Sequence, residues 1–173
     1  MSHDKPLGVC QSDGMRKFVL HLVTAASAAL LCSVCAAGGL PYDEQANAAE
    51  QIRVAEQTAA SGHKNVLLVF GANWCPDCRA LDSALHDKNE AALQDRFVIV
   101  KIDVGNFDKN LDLAKRYQVP LRKGIPAVAV VGADGAVRYV TKEGELADAR
   151  QMGGPAILSL LSRIDADGAV ARH

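Results

Sequence analysis

A short apolar run followed at once by two closely spaced cysteines is the feature that most restricts the fold of this chain. The apolar run covers residues 66–70, and the sequence Trp74-Cys75-Pro76-Asp77-Cys78 comes shortly after it. Because the run does not alternate with polar residues, it predicts a strand covered on both faces. Proline suits the first turn of a helix, where its missing N–H costs nothing. The two thiols are therefore expected on a turn between a buried strand and a helix.

This placement indicates redox chemistry at the cysteine pair. Two thiols separated by two residues in the first turn of a helix can close a disulfide with little movement of the backbone. The first sulfur lies near the helix N-terminus, where unpaired N–H groups and the macrodipole favour a thiolate. A thiolate is the species that attacks other disulfides. Cys75 and Cys78 are therefore the candidate catalytic residues.

The first forty of the 173 residues have a different composition from the rest. Residues 18–40 are almost wholly apolar and carry no Asp, Glu, Lys or Arg; Arg16-Lys17 precedes them and small residues lie at their end. This order is typical of a secretory signal peptide. We therefore expect residues 1–37 to be a cleaved signal peptide and residues 38–173 to be a domain in the periplasm or another exported compartment. The alternative is a membrane anchor, because about twenty apolar residues can span a bilayer.

The distribution of the five cysteines favours a functional pair. Cys10, Cys32 and Cys35 lie in the segment expected to be removed, which leaves Cys75 and Cys78 in the mature domain. A bridge between those two closes too short a loop to stabilise a fold efficiently. The equal spacing of Cys32 and Cys35 is interpreted as a coincidence within the apolar segment.

Composition argues against binding to nucleic acid. The net charge is −1 at pH 7, and the 19 lysine and arginine residues are scattered rather than clustered. A chain of this kind presents no basic surface to a phosphate backbone. Hydrophobic residues make up 49% of the sequence, which is enough for one domain with a core of its own.

The other secondary structure is predicted from hydrophobic spacing and turn signals. Asp43 and Asp108 are the expected N-caps of two helices. The predicted order is a helix over 43–62, a strand over 65–71, a helix over 76–85, a short helical piece near 91–93, a strand over 97–104, a helix over 108–117, a hairpin of strands over 127–131 and 136–140, and a helix over 153–164. Strand, helix and strand in this order predict a right-handed parallel crossover.

The order of elements, the Trp-Cys-x-x-Cys motif and Ile125-Pro126 further along the chain together resemble the thioredoxin superfamily. The resemblance covers about residues 49–164 and is greatest to small exported thioredoxin-like proteins. It implies an α/β fold with three layers. In that fold a central mixed sheet, made of parallel strands and an antiparallel C-terminal hairpin, is flanked by helices.

The resemblance also implies roles for the residues of the motif. It makes Cys75 the attacking thiolate and Cys78 the resolving thiol, with Trp74, Pro76 and Asp77 as supporting residues of the active site. The same residues fix the expected order of events: Cys75 attacks a substrate disulfide, and Cys78 then attacks Cys75 and releases the reduced substrate.

A second segment is implied to face the two sulfurs. Pro126 is expected in the cis form, and the backbone of Ile125 is expected to pair with an extended substrate segment. Arg122-Lys123 lies just before this turn. That dipeptide either borders the binding surface or belongs to a solvated loop.

The function implied is exchange of thiols and disulfides in protein substrates of the cell envelope. Asp77 lies between the two cysteines, and its negative charge disfavours the Cys75 thiolate, whereas the positive charge of Arg79 favours it. We expect a reductant or isomerase rather than a strong oxidant. The alternative is a redox-inert binding module or a carrier of Cu(I) on the two thiolates. A zinc site would need two more ligands, and His63 and His86 are interpreted as surface residues.

Protein substrates with disulfides or thiols are the expected partners, and the chain is expected to be a monomer. No cofactor is expected, because the dithiol itself carries the two electrons. A membrane thiol reductant that recharges the pair is implied by the resemblance and the compartment.

One departure from the family pattern concerns the proton of the resolving thiol. Many thioredoxins carry a buried Asp six residues before the first cysteine, where it helps to move that proton, whereas this chain has Val69. A water molecule, Asp77 or a group elsewhere must then take part if turnover is fast. Exchange itself is still expected, since the thiolate performs the chemistry.

Overall fold

The computed structural model describes residues 39–87 and 90–163 of the chain. In order, these residues form helix α1 (Ala48–Gly62), strand β1 (Asn65–Gly71), helices α2 (Pro76–Leu85) and α3 (Glu90–Gln94), strand β2 (Phe97–Asp103), helix α4 (Leu111–Arg116), a 3-10 turn (Leu121–Lys123), strands β3 (Ala127–Val131) and β4 (Val137–Val140), and helices α5 (Ala149–Met152) and α6 (Gly154–Ser162). The predicted signal peptide or anchor and the Cys32–Cys35 pair lie outside the described residues. Within the two described ranges, no helix is both long enough and apolar enough to cross a membrane.

The strands form a mixed sheet with the order β2-β1-β3-β4. β1 pairs in parallel with β2 and antiparallel with β3, and β3 pairs antiparallel with β4. Every residue of β1 after Asn65 is buried, as the unbroken apolar run predicts. The parallel pairing of β1 with β2 confirms the predicted crossover connection through α2. β1 is therefore an inner strand, and its carboxyl end leads into the segment that carries the two cysteines.

Helices cover both faces of this sheet, which gives three layers. Alternate residues of β1 point to opposite faces: Val66, Leu68 and Phe70 to one, Leu67 and Val69 to the other. The first face packs against apolar residues of α1 and α4, and the second against those of α2, α3, α5 and α6. This arrangement confirms the predicted α/β sandwich with a mixed central sheet.

The predicted start of the first helix is wrong. α1 begins at Ala48, and its N-cap is Asn47, whose side-chain oxygen accepts a hydrogen bond from the N–H of Glu50 (3.1 Å). Asp43 is not the cap, because its carboxylate accepts a hydrogen bond from the N–H of Gln45 (2.9 Å) and closes a separate turn. The short side chains of Asp and Asn serve turns and caps equally well, so the sequence does not distinguish the two.

Asp108 is likewise not an N-cap. α4 begins at Leu111, and Asn110 before it has a left-handed backbone with φ of 54°. The carboxylate of Asp108 accepts a hydrogen bond from the N–H of Asn106 (2.9 Å), which orders the loop before the helix. The same ambiguity between turn and cap explains this difference.

Two short elements are not predicted from the sequence. The 3-10 turn over Leu121–Lys123 and helix α5 contain three and four residues. Segments this short show no helical repeat of apolar residues. Both lie next to the site, since the turn leads into Ile125 and α5 contacts the start of α2 through Arg150. The loops that flank the cysteines are therefore more structured than the sequence indicates.

Candidate functional site

The cysteine motif lies at the carboxyl end of the central strand. β1 ends at Gly71, and Cys75 immediately precedes Pro76, the first residue of α2. The N–H of Cys78 donates a hydrogen bond to Cys75 Sγ at 3.1 Å. The sulfur of Cys75 thus caps the N-terminus of α2, where N–H groups lack partners within the helix and the macrodipole is positive. This is the position predicted for the attacking sulfur.

Cys78 lies deeper than Cys75. Cys78 is 0% exposed and Cys75 is 3% exposed, and both thiols are reduced. Burial raises the pKa of the Cys78 thiol, and a hydrogen bond with Cys75 adds to the rise. Hydrogen bonds with the backbone of Ala72 and with the Tyr42 hydroxyl act in the opposite direction. Cys78 therefore needs help from its surroundings to become a nucleophile.

Tyr42 is a site residue that the sequence analysis does not identify. A Cβ placed on Gly71 would overlap the Tyr42 hydroxyl and would come 2.9 Å from Cys78 Sγ, so both groups lie against the backbone of Gly71. Tyr42 is 2% exposed. Burial raises the pKa of its hydroxyl, and the neighbouring Cys78 and Cys75 raise it further. The hydroxyl therefore keeps its proton and is a hydrogen-bond donor to Cys78.

Asn73 holds Tyr42 beside the motif. The side-chain oxygen of Asn73 accepts a hydrogen bond from the N–H of Tyr42 (2.9 Å), and its amide nitrogen donates to the carbonyl of Tyr42 (2.8 Å) and to the carboxylate of Glu44 (2.9 Å). Asn73 is itself buried. One side chain thus pairs with both backbone groups of Tyr42. Because Asn73 directly precedes Trp74, these bonds fix the segment before α1 next to the cysteine motif.

We expect the substitution Gly71→Ala to destabilise the fold. The new methyl group would overlap the Tyr42 hydroxyl and crowd Cys78 Sγ, and overpacking of this kind costs about 1–3 kcal/mol. Urea denaturation followed by circular dichroism measures the effect. Gly39→Ala is the matched control, because a Cβ there has no neighbour within 4 Å. Equal stabilities of the two variants would show that the space at Gly71 is not needed.

The segment predicted to face the sulfurs does lie beside Cys75. The peptide bond between Ile125 and Pro126 is cis. The Cys75 thiol donates a hydrogen bond to the carbonyl of Ile125, with Sγ and O 3.6 Å apart. Gly124 before it has φ of 115°, a conformation that favours glycine. The structure therefore brings the backbone of Ile125 to the attacking sulfur.

Exposed aromatic side chains border the motif. Trp74 and Phe107 are 51% and 42% exposed, and their rings are in edge contact with centroids 6.1 Å apart. The indole N–H of Trp74 donates a hydrogen bond to the carbonyl of Gly105 (2.9 Å). An adjacent cavity of about 480 Å³ is lined by Phe107, Leu111, Leu121, Arg122 and Gly124. A largely apolar surface therefore lies between the motif and the 3-10 turn.

The charged residues of the motif region have partners other than the thiols. The carboxylate of Asp77 accepts a hydrogen bond from the N–H of Arg150 (3.1 Å) and lies 3.5 Å from its guanidinium Nε. The guanidinium of Arg79 donates to the backbone carbonyl of Asn73 (3.1 Å). Lys123 pairs with Glu143 (2.9 Å). Asp77 thus ties α5 to the start of α2, and Arg79 braces the loop before it.

His63 and His86 are exposed, which confirms that they are surface residues. His63 follows α1 and His86 follows α2. Nδ1 of His86 lies 2.8 Å from the carbonyl of Asp82 in the preceding turn. Across residues 39–87 and 90–163, no group of three or more His, Cys, Asp and Glu side chains is arranged to hold a metal ion.

Comparison with known proteins gives several matches. A family model described as thioredoxin-like matches residues 46–133, about half of the chain. A disulphide isomerase from Xylella fastidiosa Temecula1 is 52% identical in sequence, with a TM-score of 0.70, and the alignment covers 73% of this chain and 97% of that one. The C-terminal domain of DsbD from Neisseria meningitidis, in its oxidised form, is 26% identical over 56% of this chain and 83% of that one, with a TM-score of 0.44. No curated protein matches the chain.

Proposed function

Because the chain belongs to the thioredoxin-like family, we propose that it is a thiol:disulfide oxidoreductase acting on protein disulfides in the cell envelope. The observation that carries the proposal is the position of Cys75 Sγ, which caps α2 and faces the carbonyl of Ile125 at 3.6 Å. The sulfur therefore lies between a helix N-terminus, where the N–H groups and the macrodipole attract negative charge, and a backbone segment that an extended substrate can pair with. The description of the Xylella fastidiosa protein as a disulphide isomerase supports the same chemistry.

The reaction runs in two exchange steps. In the reductive direction the Cys75 thiolate attacks one sulfur of a substrate disulfide, the substrate S–S bond breaks, and the released sulfur takes up a proton. Cys78 then loses its proton and attacks Cys75 Sγ. The mixed disulfide breaks, a Cys75–Cys78 disulfide forms, and the second substrate thiol leaves. Two electrons have passed from the dithiol to the substrate.

The substrate is proposed to bind along Ile125 and the apolar surface beside it. Trp74 and Phe107 supply large exposed aromatic faces next to the motif, and such side chains are frequent anchors in protein recognition. Arg122 is among the residues that line the adjoining cavity. The surface therefore suits a partly unfolded protein segment in which apolar residues flank the disulfide.

The proposed direction is that of a reductant or isomerase. A strong oxidant needs a reduced form that is strongly stabilised, and a cation beside the attacking thiolate is one source of such stabilisation. Here the guanidinium of Arg79 donates instead to the carbonyl of Asn73. We expect a reduction potential below about −180 mV. A value near that of strong oxidants, about −120 mV, would reverse the assignment.

The compartment is part of the proposal. Residues 1–37 are proposed to direct export and to be cleaved, so that residues 38–173 act in the periplasm; a membrane anchor is the alternative. A membrane thiol reductant would then recharge the pair. Cell fractionation with mass spectrometry of the mature N-terminus distinguishes the cleaved from the anchored form.

Reduction of insulin tests the proposed activity. The protein should accelerate the reduction of insulin disulfides by dithiothreitol, which is detected as turbidity when the freed chains precipitate. The control is the same protein after its thiols have been alkylated with iodoacetamide, since alkylation removes the nucleophiles and leaves the rest of the chain in place. Equal rates with native and alkylated protein would sink the proposal.

A further inference from the structure

We propose that the Tyr42 hydroxyl is a catalytic hydrogen-bond donor to the Cys78 sulfur in the resolving step. The inference rests on the proposed function, in which Cys78 attacks the mixed disulfide on Cys75. It assigns a chemical role to a residue that lies well before the cysteine motif in the sequence.

The resolving step requires a thiolate on Cys78, whose sulfur is buried. Cys78 has no exposed surface, so bulk water does not solvate its thiolate. Burial accordingly raises the pKa of this thiol, and a protonated thiol is a poor nucleophile. A group that donates a hydrogen bond to the sulfur lowers the cost of forming the thiolate.

Tyr42 has the position and the proton that this task requires. Its hydroxyl and Cys78 Sγ both lie against the backbone of Gly71, where a side chain would displace them. Two hydrogen bonds between the Asn73 side chain and the backbone of Tyr42 hold the residue in place: the N–H of Tyr42 donates to Asn73 (2.9 Å), and the amide of Asn73 donates to the carbonyl of Tyr42 (2.8 Å). Because the phenol stays protonated in this buried position, it can only act towards the thiolate as a donor.

None of the neighbouring residues Asp82, Asp77 and Val69 takes the place of Tyr42 as the hydrogen-bond donor to Cys78. Asp82 of α2 forms an ion pair with Lys101 of β2. Burial raises the pKa of Tyr42 most, the two cysteines raise it further, and the charge of Asp82 adds a smaller rise. Asp77 is bound to Arg150. Val69 is aliphatic and offers no hydrogen bond. Asp82 therefore helps to keep the proton on the hydroxyl that faces Cys78.

The proton balance of the step is simple. Cys78 gives up its proton, while Tyr42 keeps its own proton and shares it in a hydrogen bond with the new thiolate; the proton lost by Cys78 is balanced by the one that the departing substrate sulfur gains. Cys78 Sγ then bonds to Cys75 Sγ, and the bond from Cys75 to the substrate sulfur breaks. The substrate leaves as a thiolate and takes up a proton from solvent, so that no further oxidant or reductant is required.

The variant Tyr42→Phe tests the inference in a reaction that needs no protein substrate. The reduced protein is used in its proposed mature form, residues 38–173, in which Cys75 and Cys78 are the two cysteines. It is mixed with dithiobis(nitrobenzoate), which releases one thionitrobenzoate when Cys75 attacks and a second when Cys78 resolves the adduct. Loss of a hydrogen bond to a charged group should slow the second release about ten- to hundredfold at neutral pH. It should also move the pH midpoint of that phase upward by about one to two units. The first release should be unchanged.

Tyr117→Phe is the matched control. Tyr117 is also buried, but its hydroxyl faces Glu56 at 3.4 Å rather than the cysteines, so both releases should keep the rates and pH profile of the unmodified chain. If Tyr42→Phe gives the same two rates as Tyr117→Phe, the role of Tyr42 is disproved. This outcome is separate from a failed insulin assay, which would remove the proposed protein substrate and leave the exchange within the pair intact.

A second measurement guards against a loss of folding in Tyr42→Phe. Incorporation of difluorotyrosine at position 42 keeps the ring and makes its hydroxyl a stronger donor, so the second release should become faster. A purely structural role of Tyr42 predicts no change in that rate, and an unchanged rate would overturn the inference.

Discussion

Replacing Cys78 by serine is expected to convert the protein from a catalyst into a trap for its substrate. Cys75 keeps its place at the N-terminus of α2, because the hydrogen bond to its sulfur comes from the backbone N–H of residue 78, which the substitution retains. The first attack therefore still occurs. A serine hydroxyl does not displace the mixed disulfide, so the release of reduced insulin in a single turnover without dithiothreitol should fall by about a thousandfold or more.

The trapped species is directly measurable. After incubation of the reduced variant with insulin in the absence of dithiothreitol and quenching with N-ethylmaleimide, mass spectrometry should find a substrate chain joined to Cys75. Dithiothreitol added afterwards should release it. Circular dichroism of Cys78→Ser checks that the variant is folded.

Cys75→Ser is the matched control for this experiment. Its remaining thiol, Cys78, is 0% exposed, so we expect neither turnover nor a covalent complex. A substrate chain joined to Cys78 in this variant would reverse the assignment of the attacking and resolving thiols. Full turnover by Cys78→Ser would contradict the two-step mechanism.

The parts of the fold that the sequence predicts best are those encoded by neighbouring residues. The apolar run of 66–70 is covered on both faces in β1, and Pro76 is the first residue of α2. Cys75 and Cys78 lie at the junction of these two elements. The reactive pair could therefore be identified from local pattern alone.

The surroundings of the pair depend on contacts that a local pattern does not contain. Tyr42 reaches Cys78 because Asn73 binds its backbone across 31 positions of sequence, and neither residue belongs to an apolar repeat. The space for the hydroxyl exists because residue 71 is glycine. An isolated aromatic residue just before the first helix, in a chain with 3 tyrosines, is the one signal that could have drawn attention to Tyr42.

Asn73→Ala is the second substitution with a large expected effect. It removes the partner of the buried N–H and carbonyl of Tyr42, which are bonded at 2.9 and 2.8 Å. An unsatisfied buried polar group costs about 1–3 kcal/mol, so leaving both groups unsatisfied should lower the free energy of unfolding by about 2–6 kcal/mol. Urea denaturation followed by circular dichroism measures this change. The second thionitrobenzoate release should also slow, because Tyr42 is no longer held against Cys78.

The matched control is Asn106→Ala, which alters an exposed asparagine in the loop before α4. A surface change of this kind should shift the free energy of unfolding by no more than about 0.5 kcal/mol. The comparison separates the amide that binds Tyr42 from the general effect of replacing asparagine. The side chain of Asn73 forms hydrogen bonds with Tyr42 and Glu44 and not with either sulfur. If Asn73→Ala slows the second release and leaves the first unchanged, the substitution therefore acts through Tyr42. Equal stability and equal rates in the two variants would instead show that the position of Tyr42 does not depend on Asn73.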